Sequence, residues 1–380
     1  MKSLLALALS TLLISPPTPQ FKLQVIDNQI DIGYGLAIGD MDGDRKPDIL
    51  LADQKEIVWY RNGGNGPWQR FVMAANLTQR DNVCIAARDI DGDGRVEVAV
   101  GAQWDPSETN DTTKSGAVFY LVRPKDPTQT WEPVQLHHEP TTHRMRWAKV
   151  GNRYQLIVVP LHGRGNKNGE GRGVQVLAYN PPKDVRKTWA VDHVDSTMHL
   201  THNFEIWEDA DGTRLLLGGK EGSKILINRA GKWVPENRWV GEGVPVGEVR
   251  RGTLPDGTPF VAAVEPMHGN QLVVFKNGTK QVLFNQLNQG HAVVCGDFLG
   301  IGSSQVAVGW RAGNAAKKMG VRLFVPDAKG ETWTEYPVDD SVLMACEDLQ
   351  AADLNGDGKL DLIAAGRASL NLIVYWNQRR

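Results

Sequence analysis

A nine-residue acidic pattern occurs three times in this chain, and each copy runs straight into an apolar segment. The copies are Asp40-Met-Asp-Gly-Asp-Arg-Lys-Pro-Asp48, Asp89-Ile-Asp-Gly-Asp-Gly-Arg-Val-Glu97 and Asp353-Leu-Asn-Gly-Asp-Gly-Lys-Leu-Asp361. They are followed by Ile49-Leu-Leu-Ala, Val98-Ala-Val-Gly and Leu362-Ile-Ala-Ala. Alternate carboxylates on a tight glycine-containing turn form the oxygen set that a hard cation such as Ca²⁺ takes. The spacing predicts ligands at Asp40, Asp42, Asp44 and Asp48, then at Asp89, Asp91, Asp93 and Glu97, and finally at Asp353, Asn355, Asp357 and Asp361. An EF-hand would need an amphipathic helix on each side and a Glu at the twelfth position. The flanks here are short and strand-like, so each loop joins two β-strands. A repeat of this kind constrains the architecture more than any other feature of the sequence.

Aligned on the first acid, six copies begin at Tyr34, Val83, His143, His202, His291 and Glu347. The fifth copy in chain order, near Val244-Pro-Val-Gly-Glu-Val-Arg-Arg, is the poorest match. The loops of the third to sixth copies lack the acidic pattern and are expected to turn without a metal. Each copy adds third and fourth strands, such as Ile57-Val-Trp-Tyr and Arg70-Phe-Val-Met in the first. Repeats of about 40 to 60 residues with four strands each describe a β-propeller. The expected fold is therefore all-β, a seven-bladed β-propeller over residues 20–380 with an N-terminal strand closing the last blade. That blade runs out after Leu372-Ile-Val-Tyr-Trp-Asn, and Phe21-Lys-Leu-Gln-Val-Ile-Asp can supply its outer strand, burying Phe21, Leu23 and Val25. The closure would leave no open edge in the ring.

A net charge of −2 gives no electrostatic argument for nucleic acid or an anionic membrane as partner. Residues 1–19 have the form of a signal peptide: Lys2, the run Leu4-Leu-Ala-Leu-Ala-Leu, then Leu12-Leu-Ile and a Pro-rich exit. That run is too short to span a bilayer. The expectation is an exported protein, secreted or periplasmic, with no membrane span. Cys84, Cys295 and Cys346 are odd in number and lie in apolar strands, where they read as small buried hydrophobes.

The first strand of every propeller blade lines the central channel, so equivalent positions form a ring at one height. Six residues before the aligned acid, that ring reads Tyr34, Val83, His143, His202, an unassigned residue, His291 and Glu347. Neutral imidazoles with a carboxylate are a common donor set for Zn²⁺. His143, His202 and His291 are accordingly the candidate zinc ligands, with Glu347 a ligand or close neighbour. Histidines lying separately in a water-lined channel are the alternative. Loops between second and third strands open on the same face as this ring, and they carry His162, Glu221 and His268. These three and Glu347 are candidates for acid–base roles. Arg144, Arg311 and Arg367 lie close enough in the repeats to contact a substrate, while the acidic loops occupy the opposite face.

The Asp-rich repeats resemble the FG-GAP/VCBS repeats of integrin-type and exported bacterial propellers. The runs Thr142-His143-Arg, Thr201-His202-Asn-Phe-Glu205, Glu265-Pro-Met-His268-Gly and Gly290-His291-Ala are similar to the propeller domain of aldos-2-ulose dehydratase. That resemblance implies a Zn²⁺-dependent lyase acting on a small carbohydrate, a keto-sugar or 3-keto-glycoside, by β-elimination, with Ca²⁺ as a structural ion. The chain has no room for that family's additional domains, so only a propeller-borne step carries over. Two other readings share these features: a non-catalytic propeller binding glycan or protein, and a metal-dependent sugar or ester hydrolase.

Overall fold

The computed structural model describes residues 17–379, and the expected signal peptide lies almost wholly outside them. Every regular element is a β-strand, and the strands form seven four-stranded antiparallel sheets. Blade 1 comprises Gly35–Gly39, Asp48–Ala52, Glu56–Arg61 and Gln69–Ala75, and the next five blades repeat this meander in chain order. Blade 7 is built from Cys346–Ala352, Asp361–Gly366 and Leu372–Asn377, with Phe21–Asp27 as its outer strand. Among the described residues, no helix is long and apolar enough to cross a membrane.

Central strands such as Asp48–Ala52, Glu97–Ala102 and Leu372–Asn377 are buried along their whole length. Both faces must therefore be apolar, and the sequence supplies runs rather than alternation. Those faces meet in seven apolar clusters, one at each junction between neighbouring blades. Leu50 and Trp59 of blade 1 pack with Val98 and Phe119 of blade 2, and the pattern runs round to Ile363 and Trp376 of blade 7 against Ile49 and Tyr60 of blade 1. Cys84 and Cys346 are buried within such junctions and all three cysteines are free.

The closing strand pairs Phe21 with Asn377 and Val25 with Ile373, and the register then shifts before Asp27 meets Leu372. Phe21 and Leu23 pack on the junction of blades 6 and 7, as the alternation predicts. Val25 departs from that expectation. It is 41% exposed, and Ile26 packs instead on the junction of blades 7 and 1. Ile26 follows Gln24 on the face that meets Trp376, as alternation requires, and the pairing becomes irregular just beyond Val25.

The strand also fastens through Trp376, whose Nε1–H donates to Gln24 Oε1 at 2.7 Å. Replacing both Phe21 and Leu23 with Ala is expected to lower the free energy of unfolding by about 3 kcal/mol, measured by denaturant titration. A change under about 0.5 kcal/mol would show that the ring is closed without this strand.

A candidate metal centre at the channel mouth

The ring position is set by a backbone device. In blade 3, Thr142 pairs with Pro160 and Arg144 with Val159, so His143 is an extra residue in the inner strand. The same irregularity leaves out His291 between Gly290 and Ala292, and Glu347 between Cys346 and Asp348. In blade 4 it falls between Thr201 and Phe204, across His202. In blade 5, the Gly247 N–H donates to the Val264 carbonyl while the Val264 N–H donates to Glu248, again two residues against one. A β-bulge of this kind re-aims the unpaired side chain. Glu248 is therefore the ring residue of blade 5 that the alignment leaves unassigned. A signal for it exists in the sequence: a small residue precedes each ring residue, at Thr142, Thr201, Gly247, Gly290 and Cys346.

Three imidazoles converge at this mouth: those of His202, His268 and His291, with a ring nitrogen of each within 4.8 Å of the others. The expected trio had His143 in place of His268. His143 stands beside the group, its ring stacked on Trp104 at 4.9 Å and set edge-on to His202 at 4.8 Å. His268 enters from the loop between the second and third strands of blade 5. Its φ of +54° holds it in the left-handed region, a strained setting for a non-glycine residue and one that recurs at functional sites.

Of the nitrogens facing away from the convergence point, that of His291 is hydrogen-bonded and that of His202 lies beside a carboxylate. The His291 Nδ1–H donates to the Glu347 backbone carbonyl at 2.6 Å, which leaves its Nε2 lone pair free. His202 Nδ1 lies 3.1 Å from Glu248 Oε1, but the contact is too bent for a hydrogen bond, and neither atom has a hydrogen-bond partner. His202 Nε2 and His268 Nε2 are 2.6 Å apart. Burial lowers the pKa of all four histidines, with nearby charges adding to it: Arg144 at His143, Arg311 at His291, and His202 and Arg311 at His268, which falls to about 2. At His202, burial dominates although Glu248 pulls the other way. All four are thus neutral at pH 7, the form that can donate a lone pair to a metal.

Glu347 is buried and occupied. Arg311 Nη1 approaches its Oε2 at 3.2 Å, Arg367 Nη1 its Oε1 at 3.2 Å, and His291 Nε2 lies 3.9 Å from Oε1. Two guanidiniums on one carboxylate make it a strong anchor. Arg367 also lies over the Tyr34 ring at 5.3 Å, while Arg144 donates to the His143 carbonyl at 3.0 Å. Glu221 accepts from His199 Nδ1 at 2.8 Å, so it orients another histidine. His162 is half-buried, its strand paired with Leu200 and its Nδ1 without a partner. Trp104 and Glu248 belong to the site: no motif in the sequence singles out Trp104, and the small residue before the ring position is the one sign of Glu248.

Behind the cluster the channel narrows to a cavity of about 30 Å³ among Tyr34, Cys84, Arg144, Asn203 and Asp348. It reopens at the far mouth as a space of about 400 Å³ lined by Ala37, Arg88, Trp147 and Trp207. A separate groove of about 590 Å³ between blades 4 and 5 involves Trp207, Arg214 and Phe275 and contains no part of the histidine group.

The acidic loops end the inner strands of blades 1, 2 and 7, on that far face. Asp40 accepts from Gly43 and Arg45 amides, and Asp48, fully buried, accepts from the Met41 and Asn62 amides. Asp40, Asp42 and Asp48 form one carboxylate group with oxygens within 4.8 Å, and Asp89, Asp91 and Glu97 form another. Blade 7 has Asn355 where those loops have Asp42 and Asp91, so it presents one carboxylate fewer. Burial pushes Asp48 and Glu97 up to about 7 and Asp361 to about 6, with neighbouring loop carboxylates adding to it and backbone amides opposing it. In blade 6 the same turn forms around Asp297, with the neutral Gln305 accepting from Leu299 where a carboxylate would stand.

Repeat architecture and blade count define a seven-bladed propeller with FG-GAP character, and residues 40–100 match the FG-GAP-like repeat. Residues 115–278, which include His143, His202, Glu248 and His268, match the family described as aldos-2-ulose dehydratase, beta-propeller domain. No curated protein matches the chain. The relation to that propeller domain points to a carbohydrate-related role. Because Glu347 anchors two arginines, Glu347→Gln is expected to loosen Arg367 and lower unfolding free energy by about 2 kcal/mol. Equal stability of variant and wild type in chemical denaturation would contradict the anchoring role.

Proposed function

We propose that this chain is an exported, metal-dependent carbon–oxygen lyase acting on a keto-sugar or 3-keto-glycoside. The observation that carries the reading is the convergence of His202, His268 and His291 from three blades at one channel mouth. Three neutral imidazoles, one with its outer nitrogen bonded to a carbonyl and one with its outer nitrogen 3.1 Å from a carboxylate, suit Zn²⁺ and leave a position open for substrate. These three residues would hold the ion, with His143 outside the ligand set. When bound, a zinc ion polarises a ketone oxygen and acidifies the adjacent C–H.

The chain's own groups then divide the work. His143, buried and neutral with an unpartnered Nδ1, takes the proton from carbon in this scheme. The electron pair of that C–H bond becomes the new C=C bond as the β-oxygen departs. Arg367, the more exposed of the two arginines on Glu347, meets the developing charge on that oxygen. The family match supports a sugar as substrate, and elimination leaves an enone that absorbs in the near ultraviolet, whereas ester hydrolysis does not.

His202→Ala is expected to lose bound zinc and turnover together, read by metal analysis and enone absorbance. His143→Gln should keep zinc while its turnover falls about 10²–10⁴-fold. A wild-type protein that takes up no transition metal and forms no enone would sink the lyase reading and favour a binding propeller.

We further propose that the three acidic loops bind structural Ca²⁺. Crowded carboxylates raised by burial and by one another are relieved by a cation. Calcium should raise the melting temperature of the wild type and chelation reverse it. Asp48→Asn should remove one binding event in calorimetry while preserving the turn, as Gln305 does in blade 6. Unchanged melting with and without calcium would contradict the structural role.

A further inference from the structure

We infer that Glu248 is a positioning residue that locks His202 in its Nδ1–H form, so that blade 5 prepares the metal-binding face of a histidine on blade 4. The inference rests on the zinc reading above but is carried by separate geometry. His202 is fully buried, and Glu248 Oε1 lies 3.1 Å from its Nδ1. No other acceptor reaches that nitrogen.

The carboxylate is itself held. Asn203 Nδ2–H donates to Glu248 Oε2 at 2.7 Å, and Arg250 Nη2 lies 3.5 Å from the same oxygen. Glu248 is 1% exposed, so both its oxygens face fixed partners rather than water. With the proton on Nδ1, His202 Nε2 carries the lone pair, and its contact with His268 at 2.6 Å requires His268 to donate. The order of donors is thus His268 to His202 to Glu248, running from the mouth inward. His291 reaches the same form by another route, since its Nδ1–H is held by the Glu347 backbone carbonyl, which no side-chain substitution removes. His202 alone depends on a replaceable side chain. A carboxylate behind a metal-ligating imidazole raises its basicity, and losing such a partner typically weakens metal binding 10–100-fold.

The test uses the full chain with zinc alone, titrated against a chromophoric chelator, and ¹⁵N-histidine NMR of the metal-free protein. The wild type should show His202 as the Nδ1–H tautomer. Glu248→Gln, which keeps an oxygen acceptor, should bind zinc about 10-fold more weakly, and Glu248→Ala about 100-fold more weakly. If wild type binds zinc and both folded variants bind it equally well, the inference falls while the zinc reading stands. If wild type binds none, the zinc reading falls, and the NMR still decides on Glu248. An Nε2–H tautomer of His202 in the wild type, or an unchanged Nδ1–H tautomer in Glu248→Gln and Glu248→Ala alike, overturns the inference. Because Glu248→Ala removes a buried group, Glu248→Gln alone decides the matter should the alanine variant not fold.

Discussion

A four-stranded sheet with apolar residues on both faces cannot cover itself. Each blade of this protein buries its faces only against the blades on either side, in seven clusters of leucine, valine, isoleucine and aromatic side chains. The requirement is cyclic, because any missing junction would leave two apolar faces in water. The inner strands inherit their positions from that packing. Their starting residues are therefore held at a common height, where groups from separate blades can meet.

What those residues present to the channel is decided, in blades 3 to 7, by the backbone irregularity at the start of the inner strand. An extended ladder would alternate side chains into the two flanking junctions, both of which are apolar. An extra residue escapes the alternation, so a polar group can turn to the axis without entering the core. Burying so many polar atoms is tolerable only when they are paired. His202 has Glu248, His291 has the Glu347 carbonyl, and Glu347 has Arg311 and Arg367. His143 Nδ1, His202 Nδ1, Glu248 Oε1 and Arg311 Nε remain without hydrogen-bond partners in this network. Unsatisfied groups on one channel mouth are where a substrate or ion can add hydrogen bonds rather than displace them.

Much of this was legible in the sequence because propeller repeats convert alignment into geometry. The acidic loops marked the strand pairs, and counting back six residues from the first acid reached His143, His202, His291 and Glu347. Three features resisted. Glu248 was hidden because the fifth copy is the poorest match to the repeat, so its register could not be read from the alignment. His268 was seen as a loop histidine, but its approach depends on a left-handed backbone at that residue, which no pattern of residue types announces. Val25 is 41% exposed at the end of the closing strand, just before its pairing becomes irregular, and the apolar alternation does not announce where that cover ends.

The closing strand imposes an order in time as well as in space. Gln24 bonds to Trp376 across 352 residues of chain, and Phe21 pairs with Asn377. During synthesis the strand Phe21–Asp27 emerges before the rest of the ring and finds its place last, since its partner Leu372–Asn377 is the last strand of the ring to be made. Blades 1 to 6 can form their own sheets as they appear, but the junctions flanking blade 7 must wait. Until then the apolar faces of blades 1 and 6 stand open, which exposes surface prone to sticking to other chains. Contacts this distant in sequence also slow folding. The same latch that makes the finished ring seamless thus leaves the nascent chain unsealed until the seventh blade has been made.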